Sequence, residues 1–140
     1  MKQNAHWEHF RHDADMGIRG IGTTPAKAFE QAGLAFTAIM TDLEIVNSDE
    51  SVAIKCQAPS LDLLFYDWVN SLVYETSTRN MLFSKFEVDI RDDTLSAQIW
   101  GEPVDIARHQ PAVEIKGATF TQLKIAKKKH HWLVQCVVDV

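Results

Sequence analysis

Apolar residues recur along this chain with two periods, and the switches between them mark out its elements. After Thr24-Pro25, a capping residue followed by proline at a first helical position, Ala28, Phe29, Ala32, Ala35, Phe36, Ile39 and Met40 repeat at about 3.6 residues. The pattern stops near Thr41-Asp42. A second such run follows Pro59-Ser60, with Leu61, Leu64, Phe65, Trp68, Val69, Leu72 and Val73 on one stripe. Elsewhere the apolar positions alternate, as in half-buried strands. Val52, Ile54 and Cys56 mark one strand, and Phe86, Val88 and Ile90 another. Asp92-Asp93-Thr94 reads as a turn into a third, with Leu95, Ala97 and Ile99. Val113 and Ile115 open a further strand expected to continue through Phe120, Leu123 and Ile125. Trp132, Val134, Cys136 and Val138 form the last. Near the start, residues 6–11 and 17–21 are expected to form short strands around a turn. The expectation is an α+β fold over residues 1–140, one domain in which two amphipathic helices pack on a mostly antiparallel β-sheet.

Composition narrows this without changing it. Of the 140 residues, 46% are hydrophobic, enough for one core and too many for a disordered chain. No run approaches the roughly 20 apolar residues needed to cross a bilayer, and Met1-Lys2-Gln3-Asn4-Ala5-His6 lacks the apolar stretch of a secretory signal. A cytoplasmic protein without membrane attachment is expected. The net charge of −5 argues against broad, charge-driven binding to bare nucleic acid, though it leaves room for a local basic patch. Cys56 and Cys136 lie on different strand-like segments, without the close spacing of a zinc pair, and read as buried free thiols.

The candidate chemistry lies at two distant points. One is the string Trp7-Glu8-His9-Phe10-Arg11-His12-Asp13-Ala14-Asp15-Met16-Gly17-Ile18, and the other is the chain end, Val137-Val138-Asp139-Val140. An apolar strand that runs to its final residues needs something to hold it. A cation would do so, since the Asp139 side chain and the Val140 carboxylate lie within one residue. Adding Asp15 would make a site of oxygen alone, suited to Ca2+ or Mg2+ rather than zinc. From spacing alone a plainer reading stands beside it: Asp15 caps a turn and Asp139 pairs with a lysine.

Several motifs together resemble the archease family. His12-Asp13-Ala14-Asp15-Met16-Gly17 is similar to its His-Thr-Ala-Asp-hydrophobic-Gly. Gly22-Thr23-Thr24, then Ala28-Phe29-Glu30-Gln31-Ala32, resembles its next turn and helix. Met40-Thr41-Asp42, Leu63-Leu64-Phe65 through Trp68, and Leu72-Val73-Tyr74-Glu75 follow in order. Gly101-Glu102-Pro103-Val104-Asp105, His109, Glu114-Ile115-Lys116-Gly117-Ala118-Thr119-Phe120 and the ending Asp139-Val140 complete the set. The resemblance implies a calcium-type site from Asp15, Asp139 and the main-chain oxygen of Val140, with Mg2+ or Mn2+ as alternative ions. It also implies a role: assisting the GTP- and manganese-dependent RNA ligase that rejoins tRNA halves, by promoting guanylylation of the ligase histidine and multiple turnover. The chain is then no enzyme itself and meets RNA only through the ligase. Asp13 departs from the usual threonine, Gly117 from alanine and Phe120 from tyrosine.

Four further residues are placed around this site or against the partner: His12, Asp13, Asp42 and Lys116. His12 beside a hard-cation site more often orients an acidic ligand than binds the ion. Lys116 either reaches a phosphate or acidic group as a point charge or pairs with Glu114 or Glu102. Lys127-Lys128-Lys129-His130-His131 reads as a solvated hairpin tip, or as a contact to RNA phosphates or an acidic ligase surface. Gly17, Gly20 and Gly22 fit no phosphate-loop spacing and are expected at tight turns. Trp68, Trp100 and Trp132 are expected in the core. Two other function classes remain alongside the ligase activator: a metal-dependent phosphoester hydrolase, for which no nucleophile with a local base is apparent, and a chaperone-like RNA-processing module.

Overall fold

A computed structural model describes residues 5–140; residues 1–4, part of the opening segment read above as lacking an apolar leader, lie outside the described residues. The chain opens with a hairpin of β1 (His6–His12) and β2 (Asp15–Gly22). Helix α1 (Pro25–Met40) follows, its N-cap Thr24 accepting a hydrogen bond from the Lys27 N–H. A short 3-10 turn (Leu43–Ile45) leads to β3 (Glu50–Gln57), then α2 (Leu61–Arg79). A hairpin of β4 (Met81–Arg91) and β5 (Thr94–Pro103) turns at Asp92, whose φ of 56° is left-handed. A one-turn helix α3 (Ile106–His109), β6 (Gly117–Ala118), β7 (Lys124–Lys127) and β8 (Trp132–Asp139) complete the chain.

The strands form two antiparallel sheets rather than one. The larger runs β1-β2-β8-β6, with β7 also beside β8; the smaller runs β3-β5-β4. Helix α1 packs on β2 and β8 of the first and on β4 of the second. This explains a departure from the expected single apolar stripe. Eight of its sixteen residues are buried, including Ala28, Phe29, Ala32, Ala35 and Phe36, and within the helix only Lys27 is exposed. A helix caught between two sheets buries two sides. Trp68 of α2 is fully buried, donates its indole N–H to the Phe29 carbonyl at 3.0 Å, and meets Phe86 edge-on. Both thiols are buried and free. Burial holds Cys136 up at about 12; it also raises Cys56, against a hydrogen bond with Ser71. Among the described residues no helix is long and apolar enough to cross a membrane.

Three expectations need correction. The strand expected to begin at Val113 is broken. Residues 110–116 are irregular, β6 spans two residues, and Thr119 turns both its N–H and its hydroxyl onto the Val137 carbonyl. The chain then reverses at Gln122, with φ 56°, before β7 begins. The glycines of β2 occupy no turn, and no glycine among the described residues has positive φ. They permit close approach instead. A Cβ on Gly20 would lie 2.0 Å from the Ala28 carbonyl oxygen, and one on Gly17 would lie 2.2 Å from Cζ of the Phe10 ring. Of the three tryptophans, only Trp68 is wholly in the core. Trp100 and Trp132 are half-buried, under the ammonium groups of Lys85 and Lys127.

Candidate functional site

The β1–β2 hairpin closes in two residues, Asp13-Ala14, with Asp13 at φ 52°. Asparagine and aspartate tolerate this left-handed conformation better than most residues. The tight turn places His12 directly opposite Asp15. On the other side, the β2–β8 ladder ends with Met16 paired to Val138, and Asp15 and Asp139 each lie one step beyond that pair. Asp139 in turn pairs with Gly117 of β6. His12, Asp15 and Asp139 therefore lie at the same end of three neighbouring strands.

The two distant acidic points of the sequence thus meet. The Val140 N–H reaches Asp15 Oδ1 at 3.4 Å, across 125 positions of chain. The Lys116 N–H donates to the Asp139 main-chain oxygen at 2.7 Å, which fixes the tail from its other side. The segment before Lys116 is itself tied down. The Ala112 N–H bonds to Met40 O, the Thr41 hydroxyl donates to His109 O at 2.6 Å, and Ile115 is buried.

The plainer readings of these residues fare unevenly. Among the described residues, neither Asp15 nor Asp139 pairs with a lysine or arginine. Lys116 precedes β6 rather than lying within a strand, is exposed, and forms no ion pair with Glu114 or Glu102. His12 Nδ1 lies 3.8 Å from the exposed carboxylate of Asp13 and makes no hydrogen bond to Asp15. Asp42 stands apart from this group. It caps the 3-10 turn by accepting from the Glu44 N–H at 3.0 Å.

Chemically, the tip offers two carboxylates, one half-buried and one exposed, that have no lysine or arginine partner among the described residues, with the Val140 N–H on one of them. Among the described residues no three His, Cys, Asp or Glu side chains gather to hold a metal. A site here would draw on main-chain oxygen for its third ligand, and an all-oxygen set of that kind fits a hard cation.

A second polar cluster joins Glu102 and His109, which the sequence marked only as motif residues, to Arg108 and Asn47. Glu102 is buried at the end of β5 and accepts from Arg108 Nη2 at 2.6 Å and from the Asn47 N–H at 2.7 Å. The Asp105 N–H donates to His109 Nδ1 at 2.8 Å. That leaves the ring proton on Nε2, which donates to Glu102 at 3.0 Å. Burial alone would raise the Glu102 carboxyl. The Arg108 guanidinium, the Asn47 amide and the His109 ring outweigh it and hold the group down at about 2. The His109 side chain has 0% exposure, so this His–carboxylate pair cannot touch a substrate and is a brace. It ties α3 and the 3-10 turn to β5, and with Thr41 it orients the segment that delivers Lys116.

The Archease protein family matches residues 7–140. An archease of Sulfurisphaera tokodaii is 36% identical over 136 residues, covering 96% of this chain and 98% of that protein. The archease of Pyrococcus furiosus is 30% identical over 139 residues, with the same coverage of each. The solution structure of Methanobacterium thermoautotrophicum protein 1598 superposes with a TM-score of 0.80 at 26% identity, covering 96% of this chain and 98% of its own. A Thermotoga maritima crystal structure described as an archease and possible chaperone shares the fold, with a TM-score of 0.57 at 19% identity over 95% and 99% of the two chains. A match of this extent, running in order from the first strand to the last residue, means that the chain belongs to the archease family.

Proposed function

We propose that this protein is an accessory activator of the GTP- and manganese-dependent RNA ligase of tRNA splicing, acting through its anionic tip. The observation that carries the reading is the meeting of Asp15 with the chain end, at 3.4 Å from the Val140 N–H. Asp15, Asp139 and the main-chain oxygen of Val140 would hold a divalent cation, with Ca2+ the best fit to an all-oxygen set and Mg2+ or Mn2+ as alternatives. Such an ion would neutralise the two carboxylates and order phosphate oxygens near it. The residues of the chain do the rest. The hairpin turn and β8 present the carboxylates at the end of a rigid sheet. Lys116, fixed through its backbone to Asp139 and free of any ion pair among the described residues, offers a positive charge to a phosphate. Docked at the ligase active site, this pairing of acid and lysine orients the nucleotide for attack by the ligase histidine, and so favours guanylylation and repeated turnover.

Single-turnover guanylylation of the ligase, with and without this protein, tests the reading. Stimulation is expected to fall at least about tenfold with Asp15→Ala or Asp139→Ala, in keeping with the loss of a positioning group in phosphoryl transfer. Full stimulation by both variants would overturn it.

A further inference from the structure

The molecule divides its charge unevenly. Residues 115–138 contain five lysines, two histidines and no aspartate or glutamate, in a chain that otherwise has 9 basic and 19 acidic residues. This segment carries +5 within a protein of net charge −5. The fold lays it along one border of the larger sheet. Lys116 sits at the tip, bonded through its N–H to Asp139. Lys124 lies opposite Gln135, and Lys127 opposite Trp132 at the far end of β8. Lys128 and Lys129 continue into the β7–β8 turn, where the Lys128 N–H bonds to His131 O. From Lys116 to Lys127 the border follows seven residue steps of β8, about 23 Å at the rise of an antiparallel strand. All five lysines are exposed.

Midway along this border stands Phe120. It is 63% exposed, yet its ring is held: it stacks on Tyr66 of α2, with centroids 4.4 Å apart and planes within 11°. The turn behind it is fixed by the Thr119 hydroxyl on Val137 O, and the Asn70 side chain accepts from the Ala118 N–H beside it. An exposed aromatic ring costs free energy in water, and this one is presented flat by a built support rather than tucked away. Lysines spaced along a rigid edge, with a stacked aromatic platform among them, are the features that single-stranded nucleic acids recognise. The ammonium groups follow the phosphates and the ring takes a base.

We infer that the border formed by Lys116, Phe120, Lys124 and Lys127–Lys129 is a docking track for single-stranded RNA. The chain itself contacts the strand, with a base stacked on Phe120, and guides one end toward the tip. An acidic protein surface would satisfy the lysines equally well, but it gives no role to the flat face of Phe120, so RNA is the occupant favoured. The ligase reading supplies only the direction of the track; binding to RNA stands apart from it.

Fluorescence anisotropy of a short fluorescein-labelled oligouridylate, titrated with the full chain at low salt and without ligase, tests the track. Saturable binding is expected. Phe120→Ala should weaken it by roughly tenfold without altering its salt dependence, the loss of one stacked base. The triple variant Lys124→Gln/Lys127→Gln/Lys128→Gln should flatten the logarithmic salt slope by about 2, three lost phosphate contacts on a single strand. All these side chains are exposed, and matching melting curves will verify the folds of the variants. No saturable binding by the intact chain, affinities unaltered in both variants, or displacement of the RNA by polyglutamate at equal charge concentration would each overturn the proposal. Asp15→Ala and Asp139→Ala should leave RNA binding intact. The track and the ligase reading therefore fail by separate measurements, since guanylylation is assayed without RNA.

Discussion

At the scale of single residues, the tip carries two acids that have no lysine or arginine partner among the described residues. Asp15 and Asp139 lie one step beyond the last β2–β8 pair, Met16 with Val138, and like charges on neighbouring strands destabilise a sheet edge unless a cation joins them. Addition of Ca2+ is therefore expected to raise the melting temperature. At about a hundredfold excess over its dissociation constant, the linkage is worth ~2.7 kcal/mol, a rise of roughly 8 °C for a chain of this length. Asp139→Asn should remove most of that rise while leaving the metal-free melting temperature the same or higher. An equal rise in wild type and variant, followed by differential scanning calorimetry, would place the ion elsewhere. Glu102 shows the opposite design, a carboxylate clamped by donors. Its folded value of about 2 lies below its usual 4.5. Between those values the unfolded chain binds the proton and the folded chain does not, so stability rises with pH there. The contribution is present above about pH 4.5 and is lost as pH falls toward 2. Glu102→Gln should flatten acid unfolding over that window while lowering stability at pH 7, as read by urea denaturation at each pH.

At the scale of elements, the hairpin β1–β2 and helix α1 share core side chains such as Ile18 and the bond of His9 to the Ala35 carbonyl, and at Gly20 their backbones also come into contact. The Cβ of an alanine at position 20 would meet the Ala28 carbonyl at 2.0 Å and the Ala32 nitrogen at 2.5 Å. Both are main-chain atoms of a helix and cannot rotate aside. Gly20→Ala is expected to push α1 off β2 and cost about 3 kcal/mol, at the upper end of the usual overpacking range. A shift in the midpoint of chemical denaturation measures it. Glycines on one strand are visible in the sequence, but a turn glycine and a close-packing glycine look alike there, since only the partner helix distinguishes them. The same reason explains the broken strand after Val113. Val113, Ile115, Phe120, Leu123 and Ile125 alternate well enough to read as one strand. What interrupts them is Thr119 bonding to a carbonyl of β8 and a left-handed Gln122, contacts made by residues far apart in the chain.

At the scale of the whole molecule, two sheets share helices α1 and α2. Phe29, Trp68 and Phe86 join α1, α2 and β4 in a single buried cluster. No part of such a core can open without exposing the rest, so thermal unfolding is expected as one transition, coincident in far-ultraviolet circular dichroism and tryptophan fluorescence. Separate transitions would show that the two sheets belong to separate folding units. Trp68→Ala should cost roughly 3–5 kcal/mol, a large share of the 5–15 kcal/mol typical of a whole domain, and it should lower that transition without splitting it.

The sequence alone determined the local features of this protein. The caps and 3.6-residue periods defined α1 and α2, the alternating runs located most strands, and the acid at position 139 stood out in an apolar run, with Asp15 marked by the motif around it. These are short-range signals, because propensity and periodicity act within a few residues. Tertiary structure decided the rest. It divided the strands into two sheets, buried α1 on both sides, sealed His109 against Glu102, and stacked Phe120 on Tyr66. Above all, it set Asp15 against the chain end through the register of β2 on β8. Register depends on which faces are buried across the whole sheet, and no local pattern in the chain records that choice.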